Sequence, residues 1–275
     1  MINYLQKCFL LTILLLFGWV KTAISQSERS IKSQKSYLEL PVETFNDTKR
    51  ILLSPAKWKG KDWALAAGAV SLTALSFTVD DEIQEWSQQN FSTTGDAVAK
   101  YIGEPFGNPI IVVGGSFVIY TVAKISHHPN VSDPALTAFK ATLIAGGATG
   151  LIKILAHRAR PDENIPPDSW NWGGPSFSMD NLSFVSGHSA TAFALAASMS
   201  TYYKDHRWVA WVTYPLATVT ALSRVYDNRH WFSDVVGGAV LGIFIGKTVA
   251  MPDKYKWGIA PNSKGGTSMS FTYSF

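Results

Sequence analysis

The chain has 275 residues, with 24 Lys and Arg against 20 Asp and Glu, and is 47% hydrophobic but only 16% charged. That length suits one domain with a sizeable core, and so lean a charge content points to a membrane or an unusually buried helical bundle. A net charge of +4, concentrated around residues 49–61 and 247–264, gives nucleic-acid binding little support, and the single Cys8 excludes a disulfide framework.

Residues 1–25 read as a secretory signal, with Lys7 as the basic start, an apolar run over 8–20 and the small residues Ala23-Ile24-Ser25 at the cleavage position. The other reading, an uncleaved anchor, is weakened because the run is shorter than the ~20 residues a span needs. Residues 26–57 form a polar linker rich in Ser, Gln and Lys. Six apolar segments follow, at 63–79, 110–125, 135–156, 189–203, 208–222 and 235–251. They predict an all-α six-helix bundle over residues 58–252, embedded in a membrane or associated with one. Ala, Gly and Thr recur in them, which lets helices approach closely. Between them, 80–108 is acidic, with an amphipathic stretch at 83–86 expected along an interface. Residues 157–187 form a long irregular loop whose aromatics Trp170, Trp172 and Phe177 are candidates for a pocket entrance. The tail, 253–275, alternates Met269, Phe271, Tyr273 and Phe275 with polar residues and predicts a strand or a short hairpin turning at Gly265-Gly266.

Three separated fragments carry chemistry. Lys153 and Arg160 are seven apart at the end of the third segment, so they share a helical face, and Pro161 marks the helix exit. Ser186-Gly187-His188 precedes the fourth segment, with Ser186 as an N-cap and Gly187 allowing close backbone approach to a ligand. Arg224 ends the fifth segment, and His230 and Asp234 are four apart at the start of the sixth. Asp234 is placed to accept the Nδ1 proton of His230 and leave Nε2 free. Taken singly, these fragments also fit a basic helix end, a capped helix and a surface His–Asp pair. Taken together, cations, N–H donors and two histidines form a set suited to a tetrahedral oxyanion. No carboxylate cluster or Cys/His spacing suggests a metal, and no cofactor is expected.

The series Lys153-x6-Arg160-Pro161, Ser186-Gly187-His188 and Ser223-Arg224-x5-His230-x3-Asp234 resembles the signature of the type 2 phosphatidic acid phosphatase family, over about residues 60–250. That superfamily includes bacterial acid phosphatases and vanadium haloperoxidases. One departure is Val185, where the family usually has proline. The resemblance implies a phosphatase without a metal. His230 would be the nucleophile forming a phosphohistidine, Asp234 its orienting partner and His188 the general acid. Lys153, Arg160, Ser186, Gly187 and Arg224 would hold the phosphoryl oxygens. The implied substrate is a lipid phosphomonoester or pyrophosphate. A periplasmic nonspecific acid phosphatase and a vanadium haloperoxidase are the alternatives.

The family implies a pocket on the outer side of a membrane. Five Lys and Arg at 49–62, against only Lys100 in 80–108, agree with that topology. A cleaved signal followed by six crossings would instead turn the pocket inward. The expected location is a bacterial-type envelope, with the pocket toward the periplasm.

Overall fold

The computed structural model describes residues 40–163 and 165–251 and, in backbone only, 255–261 and 267–273. The expected signal segment, the start of the linker and the Gly265-Gly266 turn lie outside the described residues.

All six apolar segments are helices, but the helical count is higher than six. In chain order the helices are α1 (Leu40–Leu53), α2 (Gly60–Ser76), α3 (Asp80–Gln89), α4 (Thr93–Val98), α5 (Glu104–Gly107) and α6 (Pro109–Ile125). They continue as α7 (Pro129–Ala156), α8 (Gly187–Tyr202), α9 (Trp208–Tyr226) and α10 (Phe232–Ala250). Beyond α10, β1 (Tyr255–Pro261) pairs antiparallel with β2 (Thr267–Tyr273), Trp257 opposite Phe271.

Helix α1 corrects the linker expectation over the residues it covers, 40–53. It is anchored by Ile51, buried in one core cluster with Ala141, Ala194 and Ile245, and by charge. Asp47 is buried and pairs with Lys140 of α7 at 2.7 Å and with Arg50 at 2.8 Å. Arg50 donates to the Val249 and Met251 carbonyls at the end of α10, satisfying carbonyls that a helix C-terminus leaves open.

The core is built from small residues. Ala141 and Ala145 of α7, and Ala190, Ala194 and Ala197 of α8, are fully buried. Helix α10 meets α8 along Gly238, Gly242 and Gly246. A Cβ at these positions would stand 2.5 Å from Ser186 O, 2.3 Å from Ala190 O and 2.4 Å from Ala194 O. No side chain fits there, so the two backbones touch, the small-residue packing common between membrane helices.

Residues 60–89, 129–156 and 232–250 are long and apolar enough to cross a membrane, and α6 with the segment before it, bent by 53°, makes a fourth candidate. Helix α2 exposes Trp63, Leu65, Val70, Leu72 and Leu75 around most of its circumference, an apolar surface suited to hydrocarbon rather than water. The protein is a membrane protein. The amphipathic stretch at 83–86 divides in two: Ile83 packs on the Ala221, Val225 and Val235 cluster, and Trp86 is exposed.

Candidate active site

The site forms where the chain turns from α9 into α10, beside the N-terminus of α8. After α9, Arg224 O accepts the N–H groups of Arg229 at 3.0 Å and His230 at 3.2 Å. Asn228 takes a left-handed conformation (φ 57°) that lets the chain reverse there. Trp231, fully buried, fixes the exit by donating Nε1–H to Ala159 O at 2.8 Å. His230 is thus held from both sides. The seam below is stitched by Ser186 N–H to Asp234 O at 2.9 Å and Ser189 Oγ to Val235 O at 2.6 Å, which places Ser-Gly-His against the His–Asp turn.

A cavity of about 660 Å³ opens here, lined by Phe91, Glu104, Arg160, His188, Arg224, Asp227, Arg229 and His230. Residues from all three sequence fragments therefore meet in one space. His188 Nε2 is buried without a well-aligned hydrogen bond, Glu104 Oε2 lying 3.2 Å away. The Arg160 guanidinium makes a long contact of 3.9 Å with Glu163, whose Oε2 also accepts the Arg160 backbone N–H at 2.7 Å, and its buried Nε has no hydrogen-bond partner among the described residues. Arg224 is already engaged, by Glu104 at 2.5 Å and by Asp227.

Lys153, Ser186 and Gly187 are not among the residues that line the cavity, and Ser186 caps its helix as the sequence implies. The Lys153 ammonium donates to the Leu182 and Ser183 carbonyls and is absent from the cavity lining. Ser186 is buried as the N-cap of α8, accepting Ser189 N–H at 3.4 Å. Gly187 opens α8, and an added Cβ would meet only Thr149, at 3.7 Å.

Asp234 is the hub beneath His230. Its Oδ2 lies 3.6 Å from His230 Nδ1, longer than a formed hydrogen bond, and accepts from Trp231 N–H at 2.9 Å and Ser183 Oγ at 2.5 Å. The Ser183 hydroxyl is 3.4 Å from His230 Nδ1, so it sits beside both the ring and the carboxylate. Asp234 Oδ1 accepts from Arg158 Nη1 at 2.7 Å. The Nη2 of Arg158 reaches Asp80 at 2.7 Å, and Asp80 also accepts from Ser233. Arg158, Asp80 and Asp234 are all fully buried, and Phe77, Trp172 and Trp231 surround the guanidinium.

Sequence reasoning missed Arg158, Asp80, Ser183, Glu104, Asp227 and Arg229. Arg158 was in plain view two residues before Arg160. Asp80 and Glu104 come from distant segments with no motif of their own. The entrance aromatics are corrected too: Trp172 packs with Phe77 and Phe184 around Arg158, Phe177 is 90% exposed, and the aromatic lining the cavity is Phe91.

Burial pushes the His230 imidazole down to about 3, against the pull of Asp234, and Lys153 and Arg160 push it the same way. The ring is neutral near pH 7, the state a nitrogen nucleophile requires. Burial, then Arg224, lowers His188 below the ordinary imidazole value, against the opposing pull of Glu104. Burial raises Asp227, against Arg224.

The sequence model of the PAP2 superfamily matches residues 134–256. Residues 134–256 belong to the PAP2 superfamily. The span holds all three fragments, and Val185, at the usual proline position, is buried there. The lipid A 1-phosphatase of Porphyromonas gingivalis is 44% identical over 182 residues, 65% of this chain and 36% of that protein. A probable lipid phosphate phosphatase beta of Arabidopsis thaliana is 34% identical over 119 residues, 34% of this chain and 54% of that protein. The chain thus spans between a third and just over half of these relatives' lengths. A transmembrane PAP2-type phosphatidylglycerolphosphate phosphatase from Bacillus subtilis aligns with 77% of this chain and 94% of its own, at 18% identity and a TM-score of 0.31.

Proposed function

We propose that this protein is a phosphatase acting on a lipid phosphomonoester or pyrophosphate through a phosphohistidine at His230. The observation that carries the reading is the convergence of His230, His188, Arg160 and Arg224 on one cavity from three separated stretches of chain. Ser183 and Asp234 lie on the Nδ1 side of His230, which leaves Nε2 for the phosphorus atom. Attack there forms the P–N bond and breaks the bond to the lipid oxygen, which takes a proton from His188. Water then cleaves the P–N bond, His188 accepting its proton, and orthophosphate leaves. Arg160 and Arg224 neutralise the equatorial oxygens, the main work in phosphoryl transfer. Lys153 acts in this reading through the 182–183 carbonyls it holds, shaping the loop beneath the nucleophile. Ser186 and Gly187 supply the capped helix N-terminus behind the phosphate.

The lipid assignment draws on membrane helices flanking the cavity and on the names of the two similar proteins. A 1-phosphate on lipid A is therefore the first substrate to test. The cavity would face the periplasm: Lys57, Lys59 and Lys61 sit at the start of α2, whereas Asp80, just beyond its end, reaches the site, so the basic cluster lies across the span.

The test is orthophosphate release by the purified protein from detergent-dispersed lipid phosphates and pyrophosphates, compared with p-nitrophenyl phosphate. Preference for a lipid substrate, lost in His230→Ala, is expected. Strong preference for the soluble ester would instead favour a nonspecific acid phosphatase.

A further inference from the structure

Glu104 belongs to none of the three fragments and lies outside the PAP2-matched residues. Its Oε2 is 2.5 Å from Arg224 Nη1 and 3.2 Å from His188 Nε2, while Oε1 accepts from Asn108 Nδ2 at 3.2 Å. The carboxylate therefore makes the contacts that a phosphoryl oxygen would make, bridging an arginine and the histidine that faces the leaving group. Two anionic oxygens cannot share that place. The backbone after it packs directly on α8 and α9, since a Cβ at Gly107 would lie 2.3 Å from Thr220 Cγ2 and 2.9 Å from His188 Cβ. The side chain is free to swing, because Glu104 is 40% exposed and can reach solvent without stranding a buried charge.

We propose that Glu104 is an internal anion that occupies the phosphate cradle of the empty enzyme, aligning Arg224 and His188, and that the phosphoryl group of the substrate displaces it. This rests on the reading of the cavity as a phosphate site. Three arginines and two carboxylates line the cavity, so moving Glu104 outward raises its net positive charge from one to two. Affinity for phosphate is then reduced by the fraction of molecules whose cradle is filled by Glu104. Return of the carboxylate after hydrolysis helps expel orthophosphate.

Direct calorimetric binding of orthophosphate and orthovanadate to the full-length protein in detergent tests this without relying on turnover. Glu104→Gln keeps the shape and removes the charge. It should bind both anions about 10-fold more tightly than the native protein, whereas Glu104→Asp, shorter but still charged, should not. A gain of affinity is not what general damage to the fold produces. Equal or weaker binding by Glu104→Gln overturns the proposal. If neither native protein nor variant binds either anion, the phosphate reading of the cavity fails, and this inference falls with it.

Discussion

The seam between α8 and α10 and the wall formed by residues 91–107 face the same cavity, yet they are held by different forces. At the seam the backbones touch through glycine, the polar groups are buried and paired, and the Asp80–Arg158–Asp234 chain is fully enclosed. At the wall, a partly exposed carboxylate reaches across to Arg224 and His188. The seam fixes where His230 stands, and the wall governs what occupies the space in front of it. Damage to the seam should cost turnover and stability together, whereas changes in the wall should alter binding with the fold intact.

Four substitutions or conditions sharpen that contrast. His230→Ala removes the proposed nucleophile and should lower lipid phosphate hydrolysis by at least about 10⁴-fold in a folded protein, read by orthophosphate release. Arg224→Ala should lower kcat/KM by about 10²–10³-fold, since one pre-placed donor to an oxyanion is commonly worth that much. Arg158→Met strands two buried carboxylates and should destabilise the protein by about 3–5 kcal/mol. Adding Asp80→Asn should recover part of that loss, and thermal unfolding in detergent measures both. Gly242→Ala forces a methyl against the α8 backbone and should cost about 1–3 kcal/mol, with KM unchanged among the molecules that remain folded.

The pH profile separates the two histidines. His230 must be neutral, and burial keeps it so down to about pH 3. His188 must be protonated to serve as the proposed acid, and burial with Arg224 lowers its value below 6.5. Hydrolysis measured as kcat/KM should therefore fall as pH rises through a value below 6.5, the free-enzyme limb. Glu104→Gln, which removes the opposing pull on His188, should move that limb to lower pH.

Much of this was legible in the sequence because helix periodicity and motif spacing are local. The six apolar segments are helices, and Lys153, Arg160, His188, Arg224, His230 and Asp234 are drawn to one end of the bundle. What escaped is what depends on partners far along the chain. Helix α1 is fixed by Asp47 meeting Lys140, a contact that no pattern within residues 40–53 announces. Asp80 matters through Arg158 and Ser233, distant in sequence and adjacent only in the fold. Lys153 lies close enough to His230 to act on its charge, but backbone carbonyls take the ammonium itself. Spacing gives the helical face of a lysine and says nothing of which acceptor a four-carbon stem will reach. The separation of 3.6 Å between His230 and Asp234, with Ser183 beside them both, was likewise invisible, since i,i+4 spacing allows a contact without setting its length.

The most direct measurement is rapid quenching of the purified protein with a ³²P-labelled lipid phosphate, followed by peptide mapping. The account predicts a label on His230 that is stable in alkali and lost in acid, formed at least as fast as steady-state turnover and absent from His230→Asn. Full turnover without a labelled protein, or a label on any other residue, would contradict it.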